Sequence, residues 1–382
     1  MIHNILRFCL TQILLFGDFF INRLTNTRQS GLVIIRLNAI GDFILWLDTA
    51  KEYRRLYPNT RITLIANSLW SDWAKHFSYW DEVWPIQLLQ FTRNPLYHWQ
   101  TVYRLRKAGF AIAIQPTYSR LFLHGDIMIR ATGAAQRIGS QGDLSNITAR
   151  RKHQSDFWYT KLLPSITTEL NELDRNAEFI ALLTGKPYHV SLPKLPHLLE
   201  LPVELNLPKP YFVVFPGALW FGRQWPVANF AELINKLNAT YGYQAVLCGS
   251  AAELKVCEQL ASMTQAHVVN LAGKTSLMQF AELVRSANLL IGNETSAIHI
   301  ATAVNTASVC ILGGGHFGRF LPYAHNLTGI KPYSVNLYMP CFNCNWICTE
   351  AHDKLGPVPC IANISVDMVW SACRAILSPS KT

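Results

Sequence analysis

Along the chain, short apolar runs rich in β-branched residues alternate with stretches whose apolar residues recur at helical spacing. LVIIRL (Leu32 to Leu37) is such a run and reads as a strand buried on both faces, the pattern of a parallel sheet. The turn AIGD follows it, then a helical pattern from Phe43 to Leu56 that stops before Pro58. RITLIA (Arg61 to Ala66) and AIAIQ (Ala111 to Gln115) repeat the strand signature. A helix carrying Leu121, Ile127, Met128 and Ile129 comes next, and RIGS (Arg137 to Ser140) is expected to end the first sheet. The alternation restarts at YFVVFPG (Tyr211 to Gly217), after which Pro226 suits the first position of a helix. Phe230, Leu233, Ile234 and Leu237 then mark one helical face. QAVLCGS, NLLIGN and ASVCILGGG are strands running into turns, the last of them the final clear strand. Helices are expected over Ala251 to Met263, Ser276 to Ser286 and Thr295 to Val304.

Repeated strand–helix units predict an α/β protein with a doubly wound parallel sheet in each half. Leu182 to Pro210 carries Pro187, Pro193, Pro196, Pro202, Pro208 and Pro210, a density that opposes helix and central strand alike. The expected organisation is an apolar extension over 1–30, a first domain over 31–185 and a proline-rich linker over 186–210. A second domain over 211–365 and a closing segment over 366–382 complete it. In the extension, Arg7, Asp18 and Arg23 interrupt an Ile, Leu and Phe-rich stretch, which suits neither a membrane span nor a signal peptide. It reads either as an amphipathic anchor lying on a membrane or as an extra helix packed on the first domain, and hydropathy does not separate the two.

Charge and cysteine content narrow the class. The net charge of +10 suits an anionic partner: nucleic acid, a phosphorylated lipid or glycan, or an acidic membrane surface. Cys9, Cys248, Cys257, Cys310 and Cys373 lie scattered in apolar surroundings, as core thiols do in a reducing compartment. Neither G-x-G-x-x-G after the first strand nor G-x-x-x-x-G-K-[ST] occurs, which disfavours a dehydrogenase or a P-loop NTPase.

In doubly wound sheets ligands bind beyond the carboxyl ends of the strands, which directs attention to the turns there. In IGNETSAIHIA an apolar strand gives way to a helix at Thr295 and Ser296. Free backbone N–H groups and the helix dipole make such a terminus an anion site. Glu294 can accept from sugar hydroxyls and His299 lies one turn in; the same residues also read as a plain helix cap with a buried histidine. In FPGALWFGRQWP, Gly217 forms the turn and Arg223 can reach a diphosphate, or lie on the surface. CGSAAE offers Gly249 for close approach and Glu253 for ribose hydroxyls or for the helix dipole. In GKTSL, Thr275 or Ser276 reads as a cap. Asp42 in RLNAIGD reads as a helix cap or as a general base for an acceptor hydroxyl.

This ordered set resembles glycosyltransferase family 9, which includes the lipopolysaccharide heptosyltransferases. RLNAIGD with Tyr57-Pro58, PGALWFGRQWP, CGSAAE and NLAGKTSLMQFAELVRSANLLIGNETSAIHIATAV carry the resemblance from Leu32 to about Leu377. It implies a GT-B fold, two Rossmann-like domains facing a cleft. The closing helix, Val366 to Leu377, is then expected to pack back on the first domain. It also implies inverting transfer from a nucleotide-sugar, with Asp42 as base and no metal needed for catalysis. Gly217, Arg223, Gly249, Glu253, Glu294, Thr295, Ser296 and His299 would hold the donor, and Arg36 and Arg120 an anionic lipid or oligosaccharide acceptor. The implied setting is the inner face of the cytoplasmic membrane, with no nucleic acid partner. A nucleotide-sugar 2-epimerase on the same fold and a non-catalytic glycan-assembly protein are the alternatives. The sequence departs from the family pattern at Arg223, where Lys is usual, at Glu294 for Asp and at Ser296 for Gly. GGGHFGRF (Gly313 to Phe320) is a further departure, placed where it would line the donor pocket.

Cys341, Cys344, Cys348 and Cys360 form C-x2-C-x3-C-x11-C, a spacing that suits a structural Zn or Fe site with all positions filled by protein. An autotransporter heptosyltransferase subgroup resembles it in carrying a cysteine iron site. The same four residues also read as free thiols.

Overall fold

The computed structural model describes residues 2–24, 29–167, 169–205 and 207–378, so residues 25–28 of the N-terminal extension lie outside it. The chain divides into two compact units: Met1–Thr168 with Asp174–Val190, and Glu169–Leu173 with Ser191–Thr382. Each unit is built on an all-parallel six-stranded sheet. The first contains β1 (Leu32–Arg36), β2 (Ile62–Asn67), β3 (Glu82–Ile86), β4 (Ile112–Gln115), β5 (Gln136–Ser140) and β6 (Lys161–Leu163), in the order β3-β2-β1-β4-β5-β6. The second contains β7 (Tyr211–Phe215), β8 (Gln244–Leu247), β9 (Val268–Asn270), β10 (Leu289–Asn293), β11 (Ser308–Ile311) and β12 (Tyr333–Val335), in the order β12-β11-β10-β7-β8-β9. Counted from each unit's own first strand, both follow the doubly wound order 3-2-1-4-5-6. Every residue of β1 and of β10 is buried, because helices cover both sheet faces and the crossovers between parallel strands require them.

Several edges differ from the sequence reading. RIGS does not end the first sheet, since β6 pairs beyond it, Ile138 opposite Lys161. Likewise β12 pairs beyond β11. Both edge strands have three residues and one polar position among them, too little for an apolar-run signature. β3 carries Pro85, which an edge strand tolerates and a central one does not. Pro226 is the cap rather than the first residue of the Val227–Tyr241 helix.

The proline-rich segment is not a free linker over its expected length. The division falls after Val190, and the residues beyond it lie on the second unit. Leu192 and Leu195 are buried there, Leu195 N–H donates to the Ala303 carbonyl at 2.8 Å, and Arg285 donates to the carbonyls of Leu195 and Pro196.

The closing helix corrects another expectation. Val366, Val369, Ala372 and Cys373 belong to the second unit's own core. The helix packs on the Val227–Tyr241 helix, with Lys236 paired to Asp367 at 2.9 Å and Trp370 against Tyr241. Its apolar stripe matches the outer side of a neighbour already committed to that sheet.

The N-terminal helix, Ile2–Ile21, is packed on the first unit along the Pro95–Ala108 helix. Trp99 donates to the Leu14 carbonyl at 3.2 Å. Gly17 makes the approach possible, since a Cβ there would enter the Trp99 indole. Asp18 and His98 are both buried and pair at 3.0 Å, and the other His98 ring nitrogen meets the Phe91 carbonyl at 2.9 Å. On the opposite side Ile13, Phe16 and Phe20 are exposed. Among the described residues no helix is long and apolar enough to cross a membrane. Asp18→Ala leaves a buried imidazole nitrogen without a partner, so it is expected to lower the unfolding free energy by about 1–3 kcal/mol. Urea titration measures this, and an unchanged midpoint would show that the helix is not anchored by this pair.

Candidate functional site

The second unit reverses strand order between β7 and β10, so a crevice opens beyond their carboxyl ends. Asn293, the last residue of β10, ties this crevice together. Its amide donates to the Pro216 carbonyl at 2.7 Å, and its oxygen accepts from Trp225 N–H at 3.0 Å. The FPG turn and the loop that carries Arg223 are thereby held to the end of β10. The sequence reading missed Asn293; the signal was a polar residue closing an otherwise apolar strand.

Glu294 follows, 4% exposed, and pairs directly with Arg223. The Arg223 guanidinium donates to the Glu294 carbonyl at 2.8 Å and to its carboxylate at 3.3 Å. Burial raises the Glu294 pKa to about 7, against the opposing pull of Arg223. Three buried polar atoms remain without partners here: Arg223 Nε, Glu294 Oε1 and Thr295 Oγ1. Thr295 occupies the cap position of the Ser296–Ala303 helix, yet its side chain makes no capping bond. The plain-cap alternative therefore fails at this residue, and the helix's first N–H groups gain nothing from its hydroxyl. Ser296 is the first helical residue.

His299 is buried with its Nδ1 2.6 Å from the Tyr323 hydroxyl, and burial lowers its pKa to about 4. It is a neutral, inward-turned ring that buttresses the helix, closer to the buried-histidine alternative than to a donor ligand. Glu253 closes a capping box with Ser250, its carboxylate accepting from the Ser250 N–H at 2.7 Å. The same side chain lies over Gly217 and Gly249, where a Cβ would strike it. Ser276 caps the Leu277–Ser286 helix, in a box with Gln279.

The glycines of GGGHFGRF admit two aromatic rings at close range. A Cβ at Gly313 or Gly315 would meet Trp346, and one at Gly314 would meet Phe342. The glycines thus form a bed for the cysteine-rich loop. Trp346 is fixed there by a 3.2 Å hydrogen bond to His316 Nδ1, and its ring lies 4.5 Å from the Arg223 guanidinium. Cys341, Cys344, Cys348 and Cys360 line one pocket beside it, and Gly314 N–H points at Cys360 Sγ at 3.4 Å. All four are free thiols. As their side chains stand, no three His, Cys, Asp or Glu groups among the described residues are gathered so as to hold a metal ion.

In the first unit the order reverses between β1 and β4. Asp42 lies in the first turn of the Ile40–Leu56 helix, half-buried, with Ala39 rather than Asp42 at the cap. Leu37, Asn38, Gln115, Thr117 and His124 line a small cavity beside it in sequence and at the sheet's carboxyl edge. Arg36 and Arg120 do not present themselves to an acceptor. Arg36 is 0% exposed and donates to the Asp42 carbonyl at 3.3 Å, holding the helix start. Arg120 is 1% exposed and faces Asp126 and Asp156. Arg36 is held by a backbone carbonyl and Arg120 by two carboxylates, while Nε and Nη1 of each have no hydrogen-bond partner among the described residues.

Two doubly wound units with an anion-receptive helix terminus at a switch point define the GT-B class of glycosyltransferase folds. The chain matches the model of glycosyltransferase family 9 (heptosyltransferase) over residues 126–346, more than half its length, and belongs to that family. Lipopolysaccharide heptosyltransferase 2 of Salmonella typhimurium is 35% identical over 133 residues, 33% of this chain and 38% of that protein. The match thus spans little more than a third of the curated relative's length. The E. coli ADP-heptose lps heptosyltransferase II superimposes with a TM-score of 0.64 at 18% identity, over 91% of this chain and 98% of that one. The iron-containing dodecameric glycosyltransferase TibC from enterotoxigenic E. coli gives 0.55 at 15% identity, over 92% and 77%. At such identities the likeness to both structures is one of fold.

Glu294→Gln mimics the protonated acid at every pH. Above about pH 8 the wild-type carboxylate is ionised and offsets the Arg223 charge, so the variant is expected to bind inorganic pyrophosphate more tightly there. Below about pH 6 both proteins carry a neutral group and their affinities converge. Calorimetry across that range checks this; a constant difference at all pH values would contradict it.

Proposed function

We propose that the protein is an inverting glycosyltransferase that moves a sugar from a nucleoside-diphosphate sugar to a cell-envelope glycan, with ADP-heptose and a lipopolysaccharide core as first candidates. The observation that carries this reading is the set of unpartnered buried atoms on Arg223, Glu294 and Thr295 at the start of a helix, beyond the β7–β10 switch point. Buried polar groups are rarely left unpaired unless a ligand completes them. Here the missing partners are both donors and acceptors, as a phosphorylated sugar supplies. Family membership favours this reading over the epimerase and assembly-protein alternatives. A lipopolysaccharide heptosyltransferase among its relatives and an ADP-heptose lps heptosyltransferase of the same fold point to that donor and acceptor.

In the proposed reaction an acceptor hydroxyl oxygen attacks the anomeric carbon and the bond from that carbon to the phosphate oxygen breaks. The bonding pair leaves with the nucleoside diphosphate and the hydroxyl proton passes to Asp42. Arg223 and the N–H groups of the Ser296–Ala303 helix take up the leaving charge, so no divalent cation is needed. Gly217 and Gly249 let Glu253 lie against the turns where the ribose would sit. The setting is the inner membrane surface, where a lipid-linked acceptor is presented.

The cysteine cluster is proposed to hold a structural Zn or Fe. Four thiols on one pocket supply a suitable soft donor set, and TibC is named as iron-containing. Bound metal would fix the loop that presses Trp346 on Arg223 and would leave no open position for chemistry.

Asp42→Asn is expected to reduce transfer by about 10²–10⁴-fold while leaving ADP affinity unchanged. Normal turnover by the variant rejects the base assignment. EDTA is expected to leave turnover intact, and a loss restored only by Mg²⁺ contradicts the metal-free scheme. Elemental analysis of the purified protein tests the cysteine site: stoichiometric Zn or Fe that Cys344→Ser abolishes supports it, and metal-free, active protein rules it out.

A further inference from the structure

At the amino-terminal edge of the first sheet lies a basic cavity of about 380 Å³. It is lined by Arg23, Arg106, Arg130 and Arg137 with Phe19 and Trp158. Arg137 is the second residue of β5, and Gly133, also in the lining, ends the helix before that strand. The cavity therefore sits at the amino-terminal edge of the sheet, whereas Asp42 follows the carboxyl end of β1.

Four guanidiniums gathered without a counter-ion are costly. Among the described residues none of the four makes a salt bridge, although eighteen such bridges occur elsewhere. Arg106 and Arg137 are held rigidly through backbone carbonyls: Arg106 donates to Leu24 and Asn22, and Arg137 to Trp158 and Ala134. Arg130 lies over the Trp158 ring at 4.9 Å, and Arg23 over Phe19 at 3.9 Å. Burial, then the charges of Arg137 and Arg130, hold the Arg106 pKa below its ordinary value. The nearby carboxylate, Asp18, is committed to His98. An anion entering the cavity would relieve this repulsion.

The rim adds a second observation. The outer side of the N-terminal helix exposes Phe16 and Phe20, whose rings meet at 5.1 Å, and Phe157 stands 74% exposed at the cavity mouth. Phe19 belongs to both features. Apolar side chains around a cationic hollow match the two layers of an anionic bilayer surface, phosphate headgroups above acyl chains. A free phosphate would use the arginines and leave the aromatic rim without purpose.

We infer that this cavity and its aromatic rim form a docking site for anionic phospholipid, seating headgroup phosphate among Arg23, Arg106, Arg130 and Arg137 while Phe16 and Phe20 enter the interface. The inference rests on the membrane-surface placement above and gives it a contact site. It also assigns the N-terminal extension a role on each side: the inner face anchors it to the first unit and the outer face meets lipid.

The test is flotation of the full chain with phosphatidylcholine vesicles, with and without phosphatidylglycerol. Wild type is expected to float only with phosphatidylglycerol, and less so as salt rises. Arg130→Gln should weaken binding about fivefold and Arg23→Gln/Arg130→Gln by about 25-fold, while Arg130→Lys stays near wild type. Phe16→Ser/Phe20→Ser, at exposed positions, should also release the protein. Unchanged circular dichroism and thermal unfolding midpoints in all variants show that they are folded. Wild type that floats while the arginine variants float equally overturns the site and leaves the membrane placement standing. Wild type that ignores phosphatidylglycerol vesicles overturns both. Inorganic phosphate bound by a wild type that does not float would identify a soluble-anion site instead.

Discussion

A buried carboxyl group with a single guanidinium beside it governs the second unit. Glu294 stands at the end of β10 with one oxygen on Arg223 and the other unpaired. Withdrawing such a group from water costs more than one bond to Arg223 restores, which is why its pKa rises to about 7. The surroundings then have to hold both partners in place. Asn293 does so for the turns and the N–H of Trp225, and Trp346 covers the guanidinium from the other side. The pair is poised between charge states and, among the described residues, leaves Arg223 Nε and Glu294 Oε1 without partners.

Trp346 extends this dependence to the cysteine-rich loop. Its position follows from His316 and from three consecutive glycines that admit its ring and that of Phe342. Trp346 itself sits in the left-handed backbone region, as do Asn343 and Asn345, so the loop stores local strain that its packing must outweigh. Residues distant in sequence from the Arg223 loop therefore decide how that arginine is presented. A loop stiffened by bound metal would set the arginine more firmly than one held by packing alone.

The first unit divides its arginines by environment. Arg36 and Arg120 are buried and engaged with backbone or carboxylates, so their charge organises the protein from within. Arg23, Arg106, Arg130 and Arg137 line one cavity and, among the described residues, make no ion pair with a carboxylate. The +10 of the whole chain does not reveal this division; it arises because the N-terminal helix lays Arg23 beside side chains from the far end of the sheet.

The sequence by itself determined the inner strands of both sheets, the doubly wound class and the turns that matter, but none of the edge strands β3, β6, β9 and β12. Buried parallel strands need continuous apolar runs, and turns at their carboxyl ends need small residues, so β1, β7, β10 and the PG and GNETS turns were legible from LVIIRL, YFVVF and LLIGN. Tertiary structure alone decided the rest. The short edges β6 and β12 exist because a neighbour offers unpaired backbone, which no local pattern records. The closing helix joined the second unit because its stripe fits the Val227–Tyr241 helix, a match between surfaces rather than a property of either. His299 turned inward to Tyr323, and Arg36 and Arg120 became internal props, because burial and partners are set by residues far away in the chain. Local sequence specifies backbone preference and apolar periodicity; which face each charge meets is fixed only when the layers pack.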